Sequence, residues 1–268
     1  MDVGQRPPLA LGVEAAGVVE AVGDEVTDLS PGDAVLTHPV PLRQQGTWAE
    51  WLVAPAALVA PKPRSVSWET AAAFPVPALT ADQALTEATL LRSGEWLLVH
   101  GAGSVTGGLV VQLAIARGAT VVATAGPASA SRVRGFGASL VVDYHDADWA
   151  RLVRDATPGG RGVDVAVNAA PGGAVTAMQA VANGGRLATI TGDPPAPERG
   201  IAVENVYVNA DGPRLATLVN ALADGQLSLP MAESVGLDGA AAALQDAMMG
   251  GLGGATVIVM AARGDLSR

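Results

Sequence analysis

The chain has 268 residues, 49% hydrophobic and 16% charged, enough to bury a substantial core in one large or two small domains and too apolar for a disordered segment. A net charge of −10 with no basic cluster argues against a nucleic-acid or anionic-membrane partner. The lack of cysteine excludes disulfides, thiolate zinc sites and a cysteine nucleophile, and His38, His100 and His145 lack the spacing of metal ligands. No signal pattern or bilayer-length apolar run is visible, so the expected compartment is the cytoplasm.

In chain order, the first 75 or so residues read as short strands and turns. Gly12–Gly23 is β-rich and dotted with glycine, Pro31-Gly-Asp33 is a turn leading into Ala34–Thr37, and Trp48–Val53 alternates like a half-buried strand. Together they predict a small twisted sheet or partial barrel. A short helix is predicted over Leu79–Ala88. The most informative stretch follows. Glu95–His100 reads as a buried strand, Gly101–Gly108 as a glycine-rich turn, the run from Leu109 as a helix, and the run ending at Thr124 as a second buried strand. This is the βαβ pattern of dinucleotide binding, in which glycines admit a pyrophosphate to the backbone and the helix N-terminus supplies N–H groups and a positive dipole end.

Strand-like runs recur at Leu140–Tyr144, Val163–Asn168, Arg186–Ile190 and Ile201–Val208, mostly separated by helix-like segments. The alternation predicts an α/β fold, a doubly wound parallel (Rossmann) sheet covered on both faces. Leu215, Leu218, Val219 and Leu222 have helical spacing that stops at Gly225; a strand at Glu233–Leu237, a helix at Ala240–Met249 and a strand at Thr256–Met260 close the chain.

Several of these stretches resemble the medium-chain dehydrogenase/reductase superfamily, in its zinc-free quinone oxidoreductase and enoyl reductase branch. They are Gly12-Val-Glu-Ala-Ala-Gly-Val-Val-Glu-Ala-Val-Gly23, Pro31-Gly-Asp-Ala-Val35, Gly46-Thr-Trp-Ala-Glu-Trp51, Ala71-Ala-Ala-Phe-Pro75, Leu79-Thr-Ala81, Val99-His-Gly-Ala102, Gly137-Ala138, Val142-Asp-Tyr144, Gly162-Val-Asp164 and Gly184-Gly-Arg-Leu187. The resemblance implies a GroES-like catalytic and substrate domain from residues 1–78 and 227–268, around a nucleotide-binding domain over 79–226. Relatives carry further residues before the Gly12 segment, so it also implies a truncated first domain and a more open substrate side.

The resemblance breaks in the phosphate turn. Aligned on His100 and Gln112, the family's three glycines fall at Gly101, Ser104 and Gly107, so the central one has become serine, and Val105 fills a position that is usually small. A Cβ there is expected to hinder approach to a pyrophosphate, with Gly103 next door as partial compensation. The lysine that relatives carry before the last strand is Ala255.

The second strand of the βαβ unit ends Thr124-Ala125-Gly126, without the acid that binds an NAD ribose diol, which favours NADPH. Ser129, Ser131, Arg132 and Arg134 are candidates for its 2′-phosphate, and by resemblance Tyr144 lies at the adenosine end. The expected cofactor residues are therefore Gly101, Ala102, Gly103, Ser104, Val105, Thr106, Thr124, Gly126, Ser129, Arg132 and Tyr144. To these are added Asn168 and Ala169 at the end of one strand and Thr191 and Gly192 after another. Thr80 matches a family threonine near the nicotinamide, beside the alternative of a helix cap. His38, in a loop running to Gly46, and Tyr207 are the candidates to polarise or protonate a substrate oxygen. His100 and His145 read as structural.

The expected activity is NADPH-dependent reduction of the C=C of a quinone or enone-type small molecule by hydride transfer. The altered turn and the short front leave a second reading open, a redox-inactive member whose cleft binds a hydrophobic biosynthetic intermediate in a cyclase-like, isomerase-like or non-catalytic role. By resemblance the chain forms a homodimer through the edge strand Val203–Val208.

Overall fold

The computed structural model describes residues 10–39, 46–250 and 253–260. They form two compact units, one from the chain up to Leu79 together with the part from Asn209 onward, the other Thr80–Val208. In the first unit, β1 (Ala15–Val18), β2 (Ala34–Thr37) and β3 (Val59–Pro61) make an antiparallel sheet in that order, with Ala15 opposite Thr37 and Leu36 opposite Ala60. Helix α1 (Trp68–Ala72) starts at Ser67, whose hydroxyl accepts the Thr70 N–H at 3.1 Å, a side-chain N-cap.

Trp48–Val53 is not a strand. At its start Thr47 N–H bonds to Gly12 O and Trp48 N–H to Leu11 O, and the chain then bends, leaving Trp51 and Val53 exposed. The alternation of apolar residues was real, but among the described residues no strand ladder runs along it. Helix α2 (Pro75–Gln83) begins four residues before the expected Leu79 and continues as a wider π turn over Ala84–Ala88, closed where Thr89 donates its N–H and hydroxyl to Ala84 O.

The second unit is built on six parallel strands: β4 (Trp96–His100), β5 (Thr120–Thr124), β6 (Leu140–Val142), β7 (Val163–Asn168), β8 (Val181–Thr189) and β9 (Ala202–Asn205). Their order is β6-β5-β4-β7-β8-β9. The apolar runs in β4, β5 and β7 have no polar side because both faces of the sheet are covered. Leu98, Val122, Val142, Ala166 and Leu187 pack with α5 (Trp149–Asp155) and α6 (Ala174–Ala180) through Trp149, Val153, Ala177 and Met178. Helix α3 (Val105–Ala116), buried nearly all round, packs on β4 and β5. Helix α4 (Pro127–Gly135) leads from β5 towards β6. The chain winds outward from β4 in both directions, so the carboxyl ends of β4 and β7 flank the switch point where ligands of such sheets bind. The sheet's last strand stops at Asn205; Val206–Val208 lie beyond it.

Helix α7 (Gly212–Ala223) returns to the first unit. Asp211 caps it by accepting the Arg214 N–H at 2.9 Å, and a Cβ on Gly212 would lie 2.5 Å from Ala57 O, so the helix start is pressed onto the backbone leading into β3. The two compact units divide between Val208 and Asn209. β10 (Met231–Gly236) and β11 (Ala255–Val259) pair in parallel across α8 (Ala240–Met248).

Candidate nucleotide-binding site

The turn after β4 is built by two glycines and one serine. Gly101 has φ +86°, and a Cβ there would lie 2.8 Å from Ala169 C, so this residue must be glycine on both conformational and steric grounds. At Gly107 a Cβ would lie 2.3 Å from Gly101 O, which brings α3 tight against the turn. Ser104 differs: its φ of −73° and ψ of 165° suit any residue, and it is the N-cap of α3. Its Oγ accepts the Gly107 N–H at 3.0 Å and donates to Gly101 O at 2.9 Å. Beside the expected obstruction, this serine therefore has a structural role. It stitches the turn closed, while the N–H groups of Val105 and Thr106, in the first turn of α3, face away from the helix body.

Ala102 is fully buried, and its N–H reaches Thr124 O at 3.0 Å. Gly103 packs against Ser129, whose Oγ would lie 2.4 Å from a Cβ at that site. The Arg132 guanidinium donates to Gly103 O at 2.8 Å, so it supports the turn from α4. Thr124, fully buried, accepts the Gly101 N–H at 3.0 Å on the hydroxyl that meets His100 Nδ1 at 2.7 Å. The next residues, Ala125 and Gly126, carry no acid, and Gly126 starts α4. The Tyr144 ring covers Gly126, with Cε1 3.1 Å from where a Cβ would be.

A polar ladder crosses the ends of β7 and β8. Buried Asn168 donates from Nδ2 to Thr189 Oγ1 at 3.1 Å and Thr191 Oγ1 at 3.0 Å. Those hydroxyls meet Asp193 Oδ1 at 2.6 and 2.5 Å, and Asn168 Oδ1 accepts the Ala170 N–H at 3.2 Å. Burial pushes the Asp193 carboxyl up, but the Thr189 and Thr191 hydroxyls and the Ala174 N–H outweigh it and hold the carboxyl below the usual range. The side chains of Asn168 and Thr191 are thus engaged with each other and with Asp193. Ala169 ties to His100 O through its N–H at 2.7 Å, and Gly192 turns the chain at φ +76°. The His100 ring stacks on Trp149 at 4.5 Å, and desolvation, against the pull of Asp193, lowers its pKa to about 4. It is a neutral structural ring, as its sequence position suggested. Sequence reasoning missed Asp193, which lies two residues past Thr191 in a loop with no motif of its own.

Thr80 is buried in the interior of α2, so the capping alternative falls away, because the helix starts at Pro75. Tyr207 lies past the end of β9, exposed, in the wall of a 320 Å³ cavity shared with Gln83, Glu87 and Asn205.

His38, in the other unit, is 4% exposed. Its Nδ1 lies 2.6 Å from Val13 O, and a carbonyl only accepts, so Nδ1 donates and Nε2 holds the lone pair, buried without a partner. Burial lowers its pKa despite that bond, which makes it a neutral acceptor and unsuited to the acid role considered from the sequence. Most of the loop that was to bring it to a cleft, residues 40–45, lies outside the described residues. Beside it, Glu14 accepts the Val76 N–H at 2.8 Å, and desolvation pushes its pKa up to about 8 despite that bond.

Among the described residues no group of three histidine, cysteine or acidic side chains is placed to hold a metal ion, and no helix is long and apolar enough to cross a membrane. Residues 136–258 match the family model of a zinc-binding dehydrogenase and residues 2–64 that of an alcohol dehydrogenase GroES-like domain. A solved NAD-dependent alcohol dehydrogenase is 30% identical, with a TM-score of 0.85 over 95% of this chain and 84% of its own. The quinone oxidoreductase of Pseudomonas syringae is also 30% identical, with a TM-score of 0.82 over 94% of this chain and 82% of its own. A mycobacterial protein solved with NADPH is 26% identical, with a TM-score of 0.82 over 96% and 84%. The 2-haloacrylate reductase of a Burkholderia species is 33% identical over 60% of this chain and 48% of its own length. Several curated relatives are much longer, and the chain spans 5% to 48% of the first ones it matches.

Proposed function

The chain belongs to the medium-chain dehydrogenase/reductase superfamily, in its zinc-independent quinone oxidoreductase-like branch, and from that premise we propose that it is an NADPH-dependent oxidoreductase. It reduces the activated C=C of a small quinone or enone. The observation that carries this reading is the phosphate cradle. Gly101 and Gly107 leave space that a Cβ would fill, Ser104 closes the turn without entering it, and the first N–H groups of α3 are free to meet a pyrophosphate. NADPH is preferred over NADH because the chain after Thr124 offers no carboxylate to a ribose diol. The relative solved with NADPH supports a nicotinamide cofactor, and 2-haloacrylate reductase supports reduction of an activated alkene.

When bound, the nicotinamide supplies a hydride. The protein's share is binding, orientation and electrostatics. Val105 and Thr106 would hold the pyrophosphate, Gly126 the adenosine ribose and Tyr144 the adenosine end. Thr124 and Arg132 keep the turn in shape from behind. Exposed Tyr207 is the group we assign to donate a hydrogen bond to a substrate oxygen. Neutral His38 is at most an acceptor, so no acid–base pair is required and the proton reaches the product from water. The capping role of Ser104 weighs against the non-redox alternative, one support of which was the altered turn.

The test is a titration with NADPH and NADH followed by tryptophan fluorescence, then a screen of quinones and enones for NADPH oxidation. Micromolar NADPH binding with turnover of an activated alkene is the expected outcome. No binding of either nucleotide overturns the reading.

A further inference from the structure

We propose that His145 is a specificity-determining residue that reads the 2′-phosphate of the adenosine ribose, an assignment that rests on the nicotinamide reading above. In a doubly wound sheet the adenosine ribose lies at the end of the second strand of the βαβ unit. Here that strand is β5, and the residue at its exit is Gly126. Two rings border the space over Gly126. Tyr144 Cε1 lies 3.1 Å and His145 Cε1 3.4 Å from the position a Cβ would take, and the rings contact each other at 4.1 Å between centroids, 31° apart.

His145 is not a loose surface ring. Its N–H and its Nδ1 both reach Asp143 Oδ1, at 3.0 and 2.7 Å. Those bonds, the backbone one first, hold the Asp143 carboxyl below its usual range, so it is an ionised acceptor and Nδ1 must be the donor. The ring atom left for a ligand is Nε2, on a side chain that is 62% exposed. In this assignment Nδ1–H rests on Asp143 and Nε2–H meets a phosphate oxygen.

The guanidinium nearest in sequence to the same loop is otherwise engaged. Arg132 donates to Gly103 O, and Ser129 Oγ already lies 3.3 Å from Gly126 O, to which it donates. Asp143 is not the ribose acid of an NAD site, because it follows β6, whereas that acid ends the second strand of the βαβ unit, here β5.

Calorimetry with adenosine 2′,5′-bisphosphate, 5′-AMP and inorganic phosphate on the intact protein tests the assignment without turnover. The wild type is expected to bind the bisphosphate about tenfold or more tighter than AMP, the scale of one charge-assisted hydrogen bond. Phosphate alone is expected to bind far more weakly, which places the recognition on a nucleotide and not on a free anion. His145→Ala is expected to bring the bisphosphate down to the level of AMP and leave AMP unchanged, while His145→Arg keeps the preference. An unchanged bisphosphate-to-AMP ratio in His145→Ala, with the wild-type preference present, overturns the role of His145 alone. No preference in the wild type overturns the choice of NADPH and this assignment with it, and equal affinity for phosphate and bisphosphate overturns nucleotide reading.

Discussion

Two left-handed glycines anchor the two units, and they organise opposite kinds of surroundings. Gly101, at φ +86°, sits in a turn tied by its side chains: Ser104 bonds twice, Thr124 bonds twice, and Arg132 holds Gly103 O. Gly12, at φ +89°, is equally constrained, since a Cβ there would lie 2.4 Å from Thr47 Oγ1 and from Trp48 Cδ1. Around it, however, His38 Nε2 and Thr47 Oγ1 are buried without partners and Glu14 is held as a neutral acid at pH 7.

The largest effect separating the two regions is expected from Gly101→Ala. The residue must then hold φ +86° with a Cβ 2.8 Å from Ala169 C, a strain of roughly 2 kcal/mol or more. Urea unfolding should show the lost stability, and NADPH titration should show loss of binding, because the turn is the cradle. Gly12→Ala should cost stability on the same scale and leave nucleotide affinity unchanged. If both variants lose NADPH alike, the two regions are not independent.

Next comes Glu14, where the contrast can be read through pH. Its native pKa of about 8 stands above the ordinary 4.5, so the folded protein binds a proton that the unfolded chain has released. The resulting stabilisation is full below about 4.5 and is lost as pH rises through 8. His100 works in the other direction, depressed to about 4 from 6.5, so its neutral form stops stabilising as pH falls through that lower range. Between 6.5 and 8 the slope therefore belongs to Glu14 and not to His100. Glu14→Gln keeps an acceptor for Val76 N–H and should flatten stability over that interval. Parallel wild-type and variant curves there would mean that the carboxyl is ionised in the folded protein.

Asp193→Ala tests the finished region. It removes the shared acceptor of Thr189 and Thr191 and leaves Asn168 and two hydroxyls partly unsatisfied, at a cost of about 1–3 kcal/mol. Thermal melting should fall accordingly. A melting temperature equal to wild type would show that water replaces the carboxylate and that the ladder does not rigidify the ends of β7 and β8.

The sheet was legible from sequence because parallel strands buried on both faces read as unbroken apolar runs, as at Leu97–Val99 and Val121–Ala123. The first unit was less legible. Trp48–Val53 has a strand's alternation but forms no ladder among the described residues, a fact about the chain around it that no local pattern carries. The placement of α7 depended on Gly212 meeting Ala57 O, a contact between residues far apart in sequence. Within the candidate site, the glycines and Thr124 could be found because strand ends and turns have signatures. Arg132 was found as a residue but not as a support of the turn, since a side chain's direction is fixed by packing. Asp193 and the Asp143–His145 pair were missed for the same reason: their importance lies in what the fold brings beside them.

Ser104→Gly is expected to have the smallest effect, and it decides how the altered turn is understood. If serine were damage, glycine would relieve it and NADPH would bind more tightly. The geometry says otherwise. At φ −73° the backbone gains no freedom it needs from glycine, and the variant loses the Oγ bonds to Gly107 N and Gly101 O. Exchange of an N-cap serine for glycine costs only a few tenths of a kcal/mol, and the bond to Gly101 O adds to this. The expected result is a slightly lower melting temperature with NADPH affinity unchanged or marginally weaker, as the turn loosens. A gain in affinity with no loss of stability would show that the hydroxyl stands in the path of the pyrophosphate.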